Sequence, residues 1–171
     1  KPGGANQDEK AAIADVARRA PSSLPGVMTV SVHPTATVEP GASIGDGSSV
    51  WHQAHVRTEA SIGDGCTLGK NVFVDRGVQI GHRVKIQNNV SVYAGVTLGD
   101  DVFVGPSAVF TNDLHPRAFN TSWTLSLTEV ERGASIGANA TIVCGVRIGS
   151  LALVGSGAVV VRDVAPHQLV I

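Results

Sequence analysis

Counting in sixes from Val32, the chain places an apolar residue at every stop: Val32, Val38, Ile44, Val50, Val56, Ile62, Leu68, Val74, Ile80, Ile86, Val92, Leu98, Val104 and Phe110. The count breaks there and resumes at Val130, Ile136, Ile142, Ile148, Val154 and Val160, so all 20 lead positions are apolar and nearly all are branched aliphatics. Four residues after each lead sits a small or slim residue, from Ala36, Ala42 and Ser48 through Cys66 to Val72, Val78 and Ala108. Three residues after the lead, Gly, Asn or Asp stands in 14 of the 20 repeats. These types tolerate the positive φ of a tight corner. Neither a strand period of two nor a helix period of 3.6 keeps residues spaced by six on one inward line, whereas short parallel strands joined by sharp bends do. Three sixes close one triangular coil. Residues one coil apart then stack at about 4.8 Å, and the leads fill a prism of about seven coils.

Two segments leave this rhythm. Residues 9–20, EKAAIADVARRA, predict a short helix with Ile13, Val16, Ala17 and Ala20 on one side, ended by Pro21. As part of an N-terminal cap over residues 1–31, it would cover the first coil of the repeat domain, 32–171, because the terminal repeats of a solenoid must be covered. The second departure is a 14-residue insertion, at about 116–129, between the Phe110 and Val130 repeats. Loops that interrupt a solenoid tend to carry its function.

Composition narrows the classes. Twenty glycines beside only 4% aromatic residues fit a chain of many tight turns. A formal net charge of -1 without a Lys/Arg run gives no electrostatic reason to expect nucleic acid or an anionic membrane as partner. Two cysteines, Cys66 and Cys144, are too few for a disulfide framework, and no apolar run approaches the roughly 20 residues of a membrane span. A reduced, cytoplasmic setting is the expectation.

The candidate chemistry concentrates where regular structure gives way to the loop, at Phe110-Thr111-Asn112-Asp113-Leu114-His115-Pro116-Arg117. With the insertion removed from the count, Asn112 stacks between Ala94 and Cys144, in line with Arg76 and Arg162, an arginine column that could hold phosphate. Asn112 and Asp113 read equally well as the turn that launches the loop. His115 is the only histidine at this junction and the natural general base, or else a solvated loop residue. His33, His52, His55 and His167 read as surface or packing residues. His82 follows Ile80-Gly81 as in a zinc site, but the place of a second ligand holds Gln87, so no metal is expected. Gln87, Asn88, Asn89 and Tyr93 put three amides and a phenol on one coil, groups that can hold a sugar hydroxyl, a uracil edge or a carboxylate. Arg117 adds a cation for the acceptor. Nothing pairs Cys144 with a base, and Gly45, Gly63 and Gly137 read as corners rather than a phosphate loop.

The runs Gln87-Asn88-Asn89-Val90-Ser91-Val92-Tyr93, Asp101 to Ser107, Val109-Phe110-Thr111-Asn112 and Arg132 to Gly145 resemble the bacterial sugar-nucleotide 3-N-acetyltransferases, which act on UDP-2-acetamido-3-amino-2,3-dideoxy-glucuronic acid in making surface polysaccharide. The resemblance implies a left-handed parallel β-helix, a homotrimer with active sites between subunits, and transfer of an acetyl group from acetyl-CoA to the C3 amino group of a nucleotide-linked sugar. It gives Asn112 the task of holding the sugar amine. It lays acetyl-CoA over the coils after the insertion, with Ala138, Ser156 and Gly157 near pantetheine and Arg162 near phosphate. In such relatives a Gly-x-Pro-Ala segment follows the residues matching Pro166 to Ile171, and a basic residue precedes Arg132-Gly133-Ala134, where this chain has Glu131. Two other readings stay open: an O-acetyltransferase, for which His115 would be indispensable, and a non-catalytic β-helix scaffold.

Overall fold

The structure, a computed structural model, describes residues 29–171, so the helix expected over residues 9–20 lies outside the described residues. Twenty-one strands of two or three residues, β1 to β21 in chain order, follow one another around a three-sided parallel prism. Each strand pairs in parallel with the one three further on along the same face, save for the last pair of the first face, where the interval is two. The first face holds eight strands, from β1 (Ser31–Val32) to β21 (Leu169–Val170). The second holds seven, from β2 (Thr37–Val38) to β20 (Val159–Val160), and the third six, from β3 (Ser43–Ile44) to β18 (Arg147–Ile148). Partners such as Ser31↔Ser49 stand three repeats apart, and across the insertion, as in Phe110↔Ile142, the interval grows only by the inserted segment. The loop therefore adds length without shifting register.

The lead positions make the core. From Val50 onward each lead is buried, and the residues four further on close the gaps between them, from Ala54 to Val102 and Ala158. Thr128 aside, Ser48 is the polar exception. It is fully buried but satisfied: its hydroxyl donates to Gly63 O at 3.0 Å and accepts from Cys66 N at 2.9 Å. Burial pushes the Cys66 thiol above its usual range, which leaves it an inert core group.

The corners separate two kinds of glycine that the sequence presents as one. Positive φ falls three residues after a lead at every corner but those of Thr35, Asp113 and Asp163, on glycines such as Gly95 (φ 91°) and on residues as varied as Arg83, Asn89 and Leu151. Glycines directly after a lead have ordinary φ but no room. A Cβ on Gly137 would lie 2.5 Å from Ser156 N of the next coil. Gly45, Gly63 and Gly137 are thus contact glycines, required because neighbouring coils touch backbone to backbone.

The last coil is shorter than the count in sixes implies. Val164 bridges Ile148, and β19 (Leu153–Val154) pairs with β21 as Leu153↔Leu169, a closer interval than Thr141↔Val159 on the second face. Two residues are missing from the corner holding Val161, Arg162 and Asp163. The interior line accordingly continues through the buried Val164 and half-buried Val170, four and ten residues past Val160.

Candidate active site

The loop leaves from the corner between the second and third faces. Phe110 ends β14 (Val109–Phe110) as a buried core residue. At a regular corner the N–H three residues after a lead donates to a carbonyl of the coil below, as Asn89 N does to Lys70 O at 2.9 Å. Here the carbonyl of Asn112 instead accepts from Ser126 N at 3.1 Å, which ties the two limbs of the loop together. Gly145 N, deprived of that acceptor, donates to the buried Thr128 hydroxyl at 3.3 Å, and Cys144 N donates to the Thr111 hydroxyl at 2.9 Å. Thr128 thus replaces the missing backbone acceptor, while Thr111 keeps the side-chain bond that Asp75 makes to Ala94 N lower on the same corner.

Within the loop, Asp113 Oδ1 accepts from His115 N at 2.9 Å and Asn120 Oδ1 from Ser122 N at 3.0 Å, so short polar side chains hold each bend. The returning limb lays Leu125 over Gly95, where an added Cβ would meet the leucine at 3.0 Å. It then joins the third face as β15 (Thr128–Val130), paired with β12 (Val96–Leu98). Between this limb and the third face runs a groove of about 700 Å³, lined in part by Arg76, Gly95, Leu125, Leu127, Gly145 and Arg147.

The geometry separates Asn112 from Asp113. Asp113 makes the turn. Asn112 contributes its carbonyl to the loop base, while its half-buried side-chain amide has no partner among the described residues. That amide is free to orient a ligand.

The remaining predicted residues divide between two corners. Tyr93, Asn112 and Arg162 lie on the corner of the second and third faces, with His115 and Arg117 exposed in the loop that springs from it. Gln87 and Asn88 lie on the corner of the first and second faces, and further along that corner come Ala138, Ser156 and Gly157. Gln87 and Tyr93 share a coil but sit at opposite ends of one face, so a single chain does not bring the amide group together with Asn112. Asn88 is also occupied, since its Oδ1 accepts from Lys70 N at 2.9 Å, and Asn89 Oδ1 accepts from Asn71 Nδ2 at 3.0 Å. These two amides stack corners.

The arginine column is corrected in the same way. Arg76 is held in a two-point pair with Glu59, at 2.9 and 2.7 Å, and is not free for phosphate. Arg162, on the shortened corner, has no carboxylate partner among the described residues. Arg117 turns one guanidinium N–H onto Pro116 O at 2.7 Å. His82 is bound into a corner ladder: its Nδ1 accepts from Asp64 N at 3.0 Å and its own N–H donates to Asp100 Oδ1 at 2.8 Å. Cys144 is buried, in keeping with a structural role.

One cluster escaped the sequence reading. Glu39, Arg57, Asp75 and Tyr93 recur once per coil in one column beneath the loop, beside His55 and Phe73 on the second face. Thr58 N and then the His55 imidazole hold the Glu39 carboxyl below the usual range. Burial pushes Asp75 upward, but the N–H groups of Arg76 and Ala94 and the Arg57 guanidinium outweigh it and keep the carboxyl low. That recurrence at the coil interval was the signal that could have found this column.

A prism of six-residue repeats, interrupted at one corner by a loop, defines a hexapeptide-repeat protein, and the chain belongs to that family of bacterial transferases. Two family profiles match it: "Hexapeptide repeat of succinyl-transferase" over residues 59–94 and 128–162, and "Bacterial transferase hexapeptide (six repeats)" over 41–76 and 77–112. Its fold is accordingly the left-handed β-helix. No curated protein matches the chain by sequence.

Among solved structures it is similar to PerB from Caulobacter crescentus, described in complex with CoA and GDP-perosamine. The two share 23% identity over 84% of this chain and 54% of that one, with a TM-score of 0.50. The acetyltransferase domain of PglB from Neisseria gonorrhoeae, in complex with acetyl coenzyme A, gives 23% identity, the same coverage of 84% and 54%, and a TM-score of 0.47. A hexapeptide-repeat acetyltransferase of Vibrio cholerae complexed with acetyl coenzyme A gives 29% identity over 60% and 63%, with a TM-score of 0.49. The chain spans about half the length of PerB and of the PglB domain. At this identity the likeness to PerB is one of fold.

Proposed function

We propose that the protein transfers an acetyl group from acetyl-CoA to the amino group, at C3, of a nucleotide-linked sugar. The observation that carries this reading is the unpartnered amide of Asn112, half-buried at the base of the loop in a transferase of this family. An amide oxygen accepts a hydrogen bond from a neutral amine and aligns its lone pair for attack on a thioester carbonyl. The N–C bond forms first, giving a tetrahedral oxyanion; the C–S bond then breaks, and the proton lost from nitrogen leaves on the thiolate. Backbone N–H groups of a coil would steady the oxyanion between those steps.

The corner bearing Ala138, Ser156 and Gly157 suits the slim pantetheine arm of acetyl-CoA. Its residues are small, and a Cβ on Gly157 would meet nothing within 4 Å. Arg162, free of carboxylates among the described residues, is the cation we assign to the coenzyme's phosphate. Gln87 and Tyr93 would contact the acceptor. Because Gln87 and Asn112 occupy different corners, this reading needs neighbouring subunits, and we propose a homotrimer. Outward valines Val109, Val159 and Val161, and Phe103 and Leu153 on the first face, supply apolar surface for it. A cytoplasmic setting, where acetyl-CoA is made and used, follows from the same reading. Among the described residues no helix is long and apolar enough to cross a membrane.

The test is release of free thiol from acetyl-CoA in the presence of UDP- and dTDP-linked 3-amino and 4-amino sugars. Turnover on a 3-amino sugar is the expected result. Coenzyme binding without turnover on any amine would remove the acceptor, and transfer to a hydroxyl that disappears in His115→Ala would establish O-acetylation instead.

A further inference from the structure

Beneath the loop, the second face changes character. Its upper outward positions are Val109, Thr141 and Val159, whereas two of its lower ones, His55 and Phe73, carry rings. Phe73 meets His55 edge-on, with centroids 5.7 Å apart at 76°, and tilts against Tyr93 at 6.1 Å and 59°. Tyr93 is 38% exposed, and its hydroxyl has no partner among the described residues. The charged groups around these rings are engaged with one another. Arg57 Nη1 lies 2.9 Å from Asp75 Oδ1, His55 Nε2 lies 2.8 Å from Glu39 Oε1, and Asp75 Oδ2 accepts from Ala94 N at 3.3 Å. The floor is therefore fixed and polar at its rim, and the rings are the part left to engage a ligand. Covering so many ion pairs with a dry subunit contact carries a desolvation cost that the valine strip above avoids. A small planar ligand meets the rings and leaves the ion pairs in water.

Position completes the case. Tyr93 lies one coil below Thr111, and Phe73 two coils below Val109, roughly 5 to 10 Å under the proposed amine site. That is within reach of a diphosphate-linked ribose. We infer that the Phe73–Tyr93 ledge, flanked by His55, is the subsite that stacks the nucleobase of the sugar nucleotide. The inference rests on the acceptor proposed above and adds where its base is held. Aromatic stacking tolerates any base, so the ledge sets affinity and leaves base identity to its polar rim.

The experiment is direct titration of the full chain with UDP, dTDP and GDP by calorimetry, repeated for Phe73→Leu and Tyr93→Leu, which keep apolar bulk and remove the ring. Each substitution is expected to weaken nucleoside diphosphate binding by roughly 5- to 150-fold, the range one base–aromatic stack carries, with acetyl-CoA affinity within twofold of wild type. Affinities within twofold in both variants would overturn the inference, as would an absence of binding to all three nucleotides in the wild type. Loss of the oligomer in either variant, seen by light scattering, would make the ledge a subunit contact and overturn it too. Because the titration needs no turnover, it separates the two proposals. Ring-dependent binding without acetyl transfer would keep the ledge and sink the acceptor, whereas transfer with unchanged affinities would do the reverse.

Discussion

At Ala94 and Gly95 the chain turns a regular corner, with Gly95 at φ 91°; one coil later, at Asn112 and Asp113, the same corner opens into the loop, and Asp113 is not among the positive-φ residues. The strands on either side are indifferent to the change, since Val109 pairs with Thr141 and Val96 with Thr128 in unbroken register. A corner can be opened because it commits only a few coil-to-coil hydrogen bonds, and here the Thr128 hydroxyl replaces the one backbone acceptor that is lost. A strand interrupted in this way would leave buried N–H groups unpaired. The regular corner stacks on the coil below through Ala94 N and Asp75 Oδ2, while the opened one releases the amide of Asn112.

The sharpest break of this contrast is Asn112→Ala, expected to lower kcat/KM for the amino sugar by roughly 100- to 1000-fold with no change in melting temperature. Near wild-type turnover in the thiol assay would remove Asn112 from the site. Next comes the regular side. Gly137→Ala drives a Cβ to 2.5 Å from backbone and is expected to cost about 3 kcal/mol. Gly145→Ala, at φ 86° with open space, is expected to cost about 1 kcal/mol. Equal losses in denaturant titrations would mean the two kinds of glycine are not distinct. Gly95→Ala joins the two regions, since its Cβ presses on Leu125 at 3.0 Å. About 1 to 2 kcal/mol of stability and about tenfold in kcat/KM should be lost, with the activity partly restored by Leu125→Ala.

A smaller effect belongs to the far corner, where Asp101 bridges Arg83, at 2.6 and 3.0 Å, and Arg132, at 3.2 Å. Arg83 foremost, with Arg132 behind it, holds this carboxyl below its usual range against the opposing effect of burial. The carboxyl's folded pKa is thus the lower of the two, so its stabilisation is complete above the unfolded value of about 3.9 and disappears as pH falls through the folded one. Asp101→Asn should cost at most about 1 kcal/mol at neutral pH and flatten the acid limb of the stability curve below about pH 4. Smallest of all, His115→Ala should keep kcat within about threefold, for an exposed imidazole that the amine reaction does not require. A hundredfold loss would reassign the proton to His115.

Much of the site was legible only as a list. Asn112, Tyr93 and Gln87 stand out by residue type, but type does not say that Asn88 is occupied by Lys70 N or Arg76 by Glu59. The Glu39–Arg57–Asp75 column could have been counted out coil by coil, and Phe73 with it. What hid it is that each member looks like an ordinary surface residue until its neighbours on adjoining coils are considered together.

The six-residue period determined by itself that this chain forms parallel coils, which side chains fill them and where φ turns positive. Those properties repeat within every coil and need only neighbours a few residues away. The tertiary structure decided which glycines face the backbone of the next coil, that the last corner is two residues short, and that the expected acceptor residues fall on two corners rather than one. These follow from contacts between coils, where the interval between partners is a full coil at Ser31↔Ser49, a shortened one at Leu153↔Leu169 and a lengthened one at Phe110↔Ile142. An insertion or a shortened turn changes that pairing without marking the residues involved.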